Sequence, residues 1–218
     1  ENGDMDGRVR VPLRLEPFQG VYVVFRPATD RASAIGSSEE DGFPYVPPRT
    51  LHEITGNWSV RFTYPQNSKP AFETTFSGLT DWTQSPDERV KYFSGTATFR
   101  ISFDGTAAIG AMESSGGRVW LNLGSLREIG SVRLNGCASM VVWEYPFRVD
   151  VTEYLRSGEN QLEVDVTNFW PNAMVGEAKR SPEERIYRTN VIRFRDDTFL
   201  KPSGLFGPVT LEIAPGPL

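Results

Sequence analysis

The sequence predicts an all-β protein, a jelly-roll β-sandwich spanning residues 49–218. Short runs rich in β-branched and aromatic residues recur at regular spacing along the chain, broken by Gly, Pro, Asn and Asp, a pattern that belongs to sandwiches and barrels. Helical periodicity is almost absent. At 218 residues, with 14 Phe, 7 Tyr, 5 Trp and a 39% apolar share, the chain carries enough apolar surface for a sizeable core.

Taken in order, "GVYVVFRP" (20–27) is the first strand-like run, and residues 1–30 read as leading strands or the end of a preceding β domain. The stretch 31–48 loses all periodicity, gathers Ser, Gly, Pro and charge, and reads as a linker. Strands are then expected within 54–62, 71–76, 95–103, 117–123, 131–136, 138–143, 146–152, 161–167, 190–195 and 207–213. In "QLEVDV", Leu162, Val164 and Val166 must share one face, with Glu163, Asp165 and Thr167 on the other. Asn135 and Gly136 suit the two positive φ values of a type I′ hairpin turn. Two weaker helical readings are "SLREIG" (125–130), as one turn, and "VTEYLRSGEN" (151–160). In the second, Thr152 would cap, Tyr154 and Leu155 would point inward, and Gly158 would end the turn. Trp58 and Trp120 lie inside strands and are assigned to the core.

Several function classes fall away on composition. The 23 basic and 28 acidic residues are scattered and leave a net charge of −5, so no basic patch exists to track phosphates, which argues against nucleic acid. No run approaches the roughly 20 apolar residues of a membrane helix. Cys137 is the sole cysteine, so no intrachain disulfide can form. The polar opening "ENGDMDGRVR" has no basic-then-apolar leader, as expected of a processed chain or of a segment of something longer.

The carboxylate pair Glu163 and Asp165 stands side by side on one strand face, within the roughly 5–9.5 Å that glycoside hydrolysis needs. A Glu-x-Asp-x-x-Glu strand would have glutamate at 168, where this chain has Asn168, so a solvated outer face is the preferred reading. His52 and Cys137 show no nucleophile–base spacing. Zinc spacing is absent, and the metal question stays open: a structural calcium on loop carbonyls and carboxylates is compatible, but no D-x-D-x-D loop presents itself. No other cofactor is called for. Aromatic–polar sets suited to sugar contact are Trp82 with Asp81, Trp143 with Glu144 and Tyr145, and Trp170 with Asn168, Asn172 and Glu177. Aromatic residues also fill sandwich cores and corners, so packing or interdomain contact ranks ahead of sugar stacking for Trp170. The segment 168–189, with little periodicity, reads as a long functional or docking loop.

The order of these pieces resembles a known family. "GTATFRISF", then "VWLNLGSLREIGSVRLNGCASMVVWEYPFRVDVTEYLRSGENQLEVDVTN" and "SGLFGPVTLEI" are similar to the sugar-binding-type, galactose-binding-domain-like jelly roll of family 2 glycoside hydrolases. The stretches "VPLRLEPFQGVYVVFR", "FSGLTDW", "VTNFWPNAMVGE" and "PSGLFGPV" more closely resemble the C-terminal sandwich of bacterial family 106 α-L-rhamnosidases. That resemblance implies a non-catalytic accessory domain whose partner is the separate catalytic barrel of a parent hydrolase. Asn168, Trp170, Asn172 and Glu177, with Asp81 and Trp82, would line the carbohydrate or interdomain contact. It also implies a periplasmic, cell-surface or secreted bacterial setting. The rival readings are an autonomous carbohydrate-binding module and a small jelly-roll glycosidase.

Overall fold

In the computed structural model, residues 20, 22–24, 48–137, 139–190, 194, 195 and 197–214 are described. The expected leading strands (1–30) and linker (31–48) therefore lie almost wholly outside the described residues, as do residues 191–193 of the strand expected at 190–195.

The fold is an all-β sandwich of antiparallel sheets. One sheet has six strands: β2 (Trp58–Thr63), β3 (Phe72–Phe76), β4 (Thr96–Asp104), β7 (Ile129–Leu134), β8 (Met140–Val142) and β10 (Glu159–Thr167). Their order is β3-β2-β4-β10-β7-β8. The facing sheet has four: β1 (Arg49–Glu53), β5 (Arg118–Asn122), β9 (Arg148–Asp150) and β12 (Thr210–Ala214), ordered β1-β12-β5-β9. A ribbon of β6 (Ser125–Arg127) and β11 (Gly204–Gly207) completes it. The chain leading into β6 runs close against the end of β11, where Gly124 bridges to Gly207. A Cβ on Gly124, where φ is +65°, would lie 2.3 Å from the Gly207 backbone.

The core follows from strand alternation. On central β10, Leu162, Val164 and Val166 are buried while Glu163, Asp165 and Thr167 face out, as the period of two demands. Facing side chains include Val119, Leu121, Val149 and Leu211. One end of the core is aromatic: Trp82 lies edge-on to Phe62 (5.5 Å) and Phe93 (5.8 Å) and stacks on Phe99 (6.3 Å). Each such side chain contributes about 1.5–3 kcal/mol through burial. The hairpin turn has the expected form: Asn135 and Gly136 have φ values of 53° and 75°, and the Cys137 N–H donates to the Leu134 carbonyl.

Four expectations need correction. Residues 125–127 form a strand, not a helical turn, because Leu126 inserts into the core while β6 pairs with β11. In 151–160 the cap is Asp150, whose carboxylate accepts the Thr152 N–H (3.0 Å). The Thr152 hydroxyl accepts from Val119 N–H instead, Leu155 is buried, and Tyr154 is exposed. Trp120 is not core: its strand neighbours Val119 and Leu121 take the inner face, and Trp120 lies outside beneath the Arg148 guanidinium. The segment 168–189 is no aperiodic loop, since Pro171–Ala178 form helix α3.

Two further helices went unforeseen. Helix α1 (Glu88–Lys91) is capped by Asp87. Helix α2 (Thr106–Ser115) packs against β1, β5 and β12, starts where Asp104 accepts the Thr106 N–H, and ends at Gly116, where φ is 63°. Ala108 is its one fully buried residue, and Ile109 and Met112 pack against the core beside it, half-buried.

Asp150 gives the fold a pH-sensitive clasp. Burial works to raise its carboxyl pKa, but hydrogen bonds at Thr152 and the Arg118 guanidinium outweigh burial and hold it below the usual 3.8. A depressed folded-state value means stability present above pH 3.8 and lost as pH falls through the folded value. Asp150→Asn should therefore flatten the acid limb of the stability–pH curve by up to about 1 kcal/mol, measured by urea unfolding across the acid range.

Candidate functional site

Strand directions define one end of the six-stranded sheet. Where β10 finishes at Thr167, β7 begins, since Thr167 pairs with Ile129. At the same end β4 begins, Thr167 pairing with Thr96, and β8 finishes next to Gly130. This end therefore collects Phe93–Gly95, Asn168–Trp170, Ile129 and Trp143, neighbouring strands being about 4.8 Å apart.

Beneath its surface lies a buried polar hub. The Asn168 amide donates to Phe93 O (2.9 Å) and Ser203 Oγ (3.0 Å), and its carbonyl accepts from Gly95 N–H (3.0 Å). The Asn172 amide donates to the Lys201 carbonyl (2.8 Å) and Ser203 Oγ (3.1 Å), and accepts from Lys201 N–H (2.8 Å). Ser203 Oγ in turn donates to Lys201 O, and Ser203 N–H donates to Asp81. Asp81 also caps the turn at Trp82–Gln84 through Thr83 N–H. This web ties β4, β10, α3 and the strand-like run before β11 into one unit, and saturates groups whose burial would otherwise be costly. Trp82 is 1% exposed, and its buried indole N–H has no partner among the described residues.

Glu177 is likewise buried. Its carboxylate accepts the Ile186 N–H at 2.6 Å and pairs with Lys69 at 3.4 Å, and Lys69 also lies over the Tyr64 and Tyr187 rings. It thereby pins the 179–190 segment back onto the sandwich.

Of the six residues singled out from sequence, only Trp170 offers a substantially open side chain; it is half exposed and meets Phe194 edge-on at 5.1 Å. Asn168, Asn172, Glu177 and Trp82 are buried, and Asp81 is half-buried. The exposed face above them is apolar: Ile129, Trp143, Tyr145 and Phe169 join Trp170 there, each more than 40% exposed. Phe169 and Ile129 carried no sequence signal. Their exposure depends on the burial of Asn168 beside one and the start of β7 beside the other.

Two open depressions flank this end. One, of about 540 Å³, lies between α3 and the 182–189 segment, lined by Glu177, Arg185, Tyr187 and Arg188 among others. The other, of about 480 Å³, lies between β6 and residues 143–147.

The remaining candidates are held elsewhere. Glu163 is paired with Arg100 (2.8 Å), and Asp165 with Arg133 (2.8 Å) and the Thr98 hydroxyl (2.6 Å). Both carboxylates are thus engaged by cations on a continuous sheet surface. His52 lies on β1 of one sheet, while Cys137 follows the β7 turn in the other and accepts the Leu134 N–H. Among the described residues, no group of three or more His, Cys, Asp or Glu side chains is positioned to hold a metal ion. Nor is any helix long and apolar enough to cross a membrane.

No family model matches the chain. A putative beta-glucuronidase of Formosa agariphila is 32% identical over an alignment covering 73% of this chain and 15% of the relative. A rhamnosidase of Novosphingobium sp. PP1Y has the same fold region at 32% identity and a TM-score of 0.66, covering 77% of this chain and 15% of that one. A beta-glucuronidase from an uncultured Clostridium sp. shares the fold at 22% identity and a TM-score of 0.51, over 77% of this chain and 29% of its own. The chain thus corresponds to a minor part of glycoside hydrolases, spanning 15% of the length of the two at 32% identity.

Proposed function

We propose that this chain is the non-catalytic accessory sandwich of a rhamnosidase-like bacterial glycoside hydrolase acting outside the cytoplasm. In this reading residues 49–218 are the sandwich, 31–48 a linker, and 1–30 the end of a preceding β domain or leading strands. The Phe169–Trp170 side of the sandwich end is its contact with the catalytic domain. The observation that carries this is the exposure of Ile129, Phe169 and Trp170 where β7 begins and β10 finishes, above the polar hub of Asn168, Asn172 and Ser203. Grouped exposed aromatics mark interaction surfaces, whereas apolar residues scattered singly do not.

Within that reading the six residues divide their work. Trp170 makes the contact with the catalytic domain or its carbohydrate. Asn168, Asn172, Glu177, Asp81 and Trp82 hold the surface rigid behind it, as preorganised interfaces require. The two glycoside hydrolases at 32% identity, each matched over 15% of its length, support the parent class.

The competing reading is a small glycosidase using Glu163. Incubating the chain with a panel of aryl glycosides distinguishes them. No turnover is expected, because Arg100 and Arg133 already engage the Glu163 carboxylate. Turnover that disappears in Glu163→Gln would overturn the non-catalytic assignment.

A further inference from the structure

We infer that the groove between β6 and residues 143–147 is a binding site for a neutral pyranoside. Its volume, about 480 Å³, falls in the range of small-molecule sites, about 300–1,000 Å³. Trp143, Tyr145 and Phe147 supply the aromatic lining, and Arg127 and Glu144 the charged groups.

The Tyr145–Phe147 part of the groove is braced by contacts of its own. Phe147 O accepts the Leu123 N–H, and Arg148 N–H closes onto Pro146 O, both at 2.8 Å. Tyr145 meets Phe147 edge-to-face at 6.4 Å and 89°, which fixes its ring. Trp143 is 67% exposed and makes no ring contact or hydrogen bond among the described residues. A flat, exposed indole beside a fixed tyrosine suits the C–H face of a sugar ring, which is apolar while its edge is polar.

The rim chemistry selects the sugar class. Glu144 has no hydrogen-bond or ion-pair partner among the described residues, and is an acceptor for ligand hydroxyls. Arg127 spends one guanidinium N–H on Leu126 O (3.0 Å), leaving other donors for ring or hydroxyl oxygens. One cation and one anion at the same groove match an uncharged polyol that both donates and accepts. A uronate carboxylate would meet Arg127 but face repulsion from Glu144.

This inference takes its ligand class from the glycoside hydrolase reading, but it concerns a different wall of the sandwich end from Trp170 and α3. Tryptophan fluorescence of the 218-residue chain, titrated with methyl α-L-rhamnopyranoside, methyl β-D-glucopyranoside, methyl β-D-galactopyranoside and D-glucuronate, tests it. Saturable binding of at least one neutral glycoside is expected, stronger than that of glucuronate. Trp143→Ala should weaken it at least tenfold and Glu144→Gln several-fold, while Trp170→Ala leaves it within twofold. The fluorescence change in Trp143→Ala is cross-checked by calorimetry, since the variant removes a reporter. No saturable binding of any neutral glycoside, preference for glucuronate, or indifference to Trp143→Ala would overturn the inference. None of those results bears on association with a catalytic domain, which is measured separately.

Discussion

Asn168→Ala is expected to destabilise the sandwich by about 3–5 kcal/mol, since it strips partners from two buried backbone groups. Those groups are Gly95 N–H and Phe93 C=O, whose only partner among the described residues is the Asn168 amide in the hub beneath the aromatic end. Ser203 Oγ loses one of its two amide donors as well but keeps Asn172. At roughly 2–4 °C of Tm per kcal/mol for a domain of this size, the melting point should fall by about 10 °C. Asn168→Asp should be no better, because an acceptor would replace the donor that faces Phe93 O. Urea unfolding with an unchanged m-value is the measurement. A loss below about 1 kcal/mol would mean that the hub is an incidental arrangement rather than the brace of this end.

Trp82→Ala should be comparably severe, about 3–5 kcal/mol, by the combined loss of buried area and the cavity left behind. Phe62, Phe93 and Phe99 all pack on this ring and cannot collapse into so large a space without leaving their own strands. Trp82→Phe separates packing from polarity. It keeps one aromatic ring in the cluster and discards an indole N–H that is already buried without a partner among the described residues, so it should cost only about 1–2 kcal/mol. The contrast tests what Trp82 is for. Had Trp82 served as a contact residue for sugar or partner, both substitutions would leave thermal stability almost untouched.

Strand alternation made the sandwich legible from sequence, and it worked best on β10, where Leu162, Val164 and Val166 alternate with polar residues. It failed at Trp120 because residue type was allowed to override the period: Val119 and Leu121 on either side already claimed the inner face. Helix α2 escaped notice because small residues such as Ala107 and Gly110 sit on its exposed side, so the Ala108, Ile109 and Met112 side stands out little from the rest. Helix α3 was hidden differently. Its buried side includes Asn172 and Glu177, polar residues that a hydrophobic pattern cannot assign to an interior.

The same limit governed the candidate site. An amide beside a tryptophan has the composition of a sugar-binding loop, and nothing in composition reveals that Asn168 and Asn172 spend their hydrogen bonds on backbone groups and Ser203. Sequence did make visible that Asn168 and Trp170 directly follow the strand β10. Phe169, by contrast, emerges as a surface residue only once Asn168 turns inward.

The proposed function rests on docking of the Phe169–Trp170 end onto a catalytic domain. Its most direct measurement is the association, by analytical ultracentrifugation, of this chain with the separately produced remainder of its parent hydrolase. Wild-type chain should form a 1:1 complex, and the double variant Phe169→Asp/Trp170→Asp, folded by circular dichroism, should fail to form it. A variant that associates as tightly as wild type, or a wild-type chain that does not associate at all, would contradict the account.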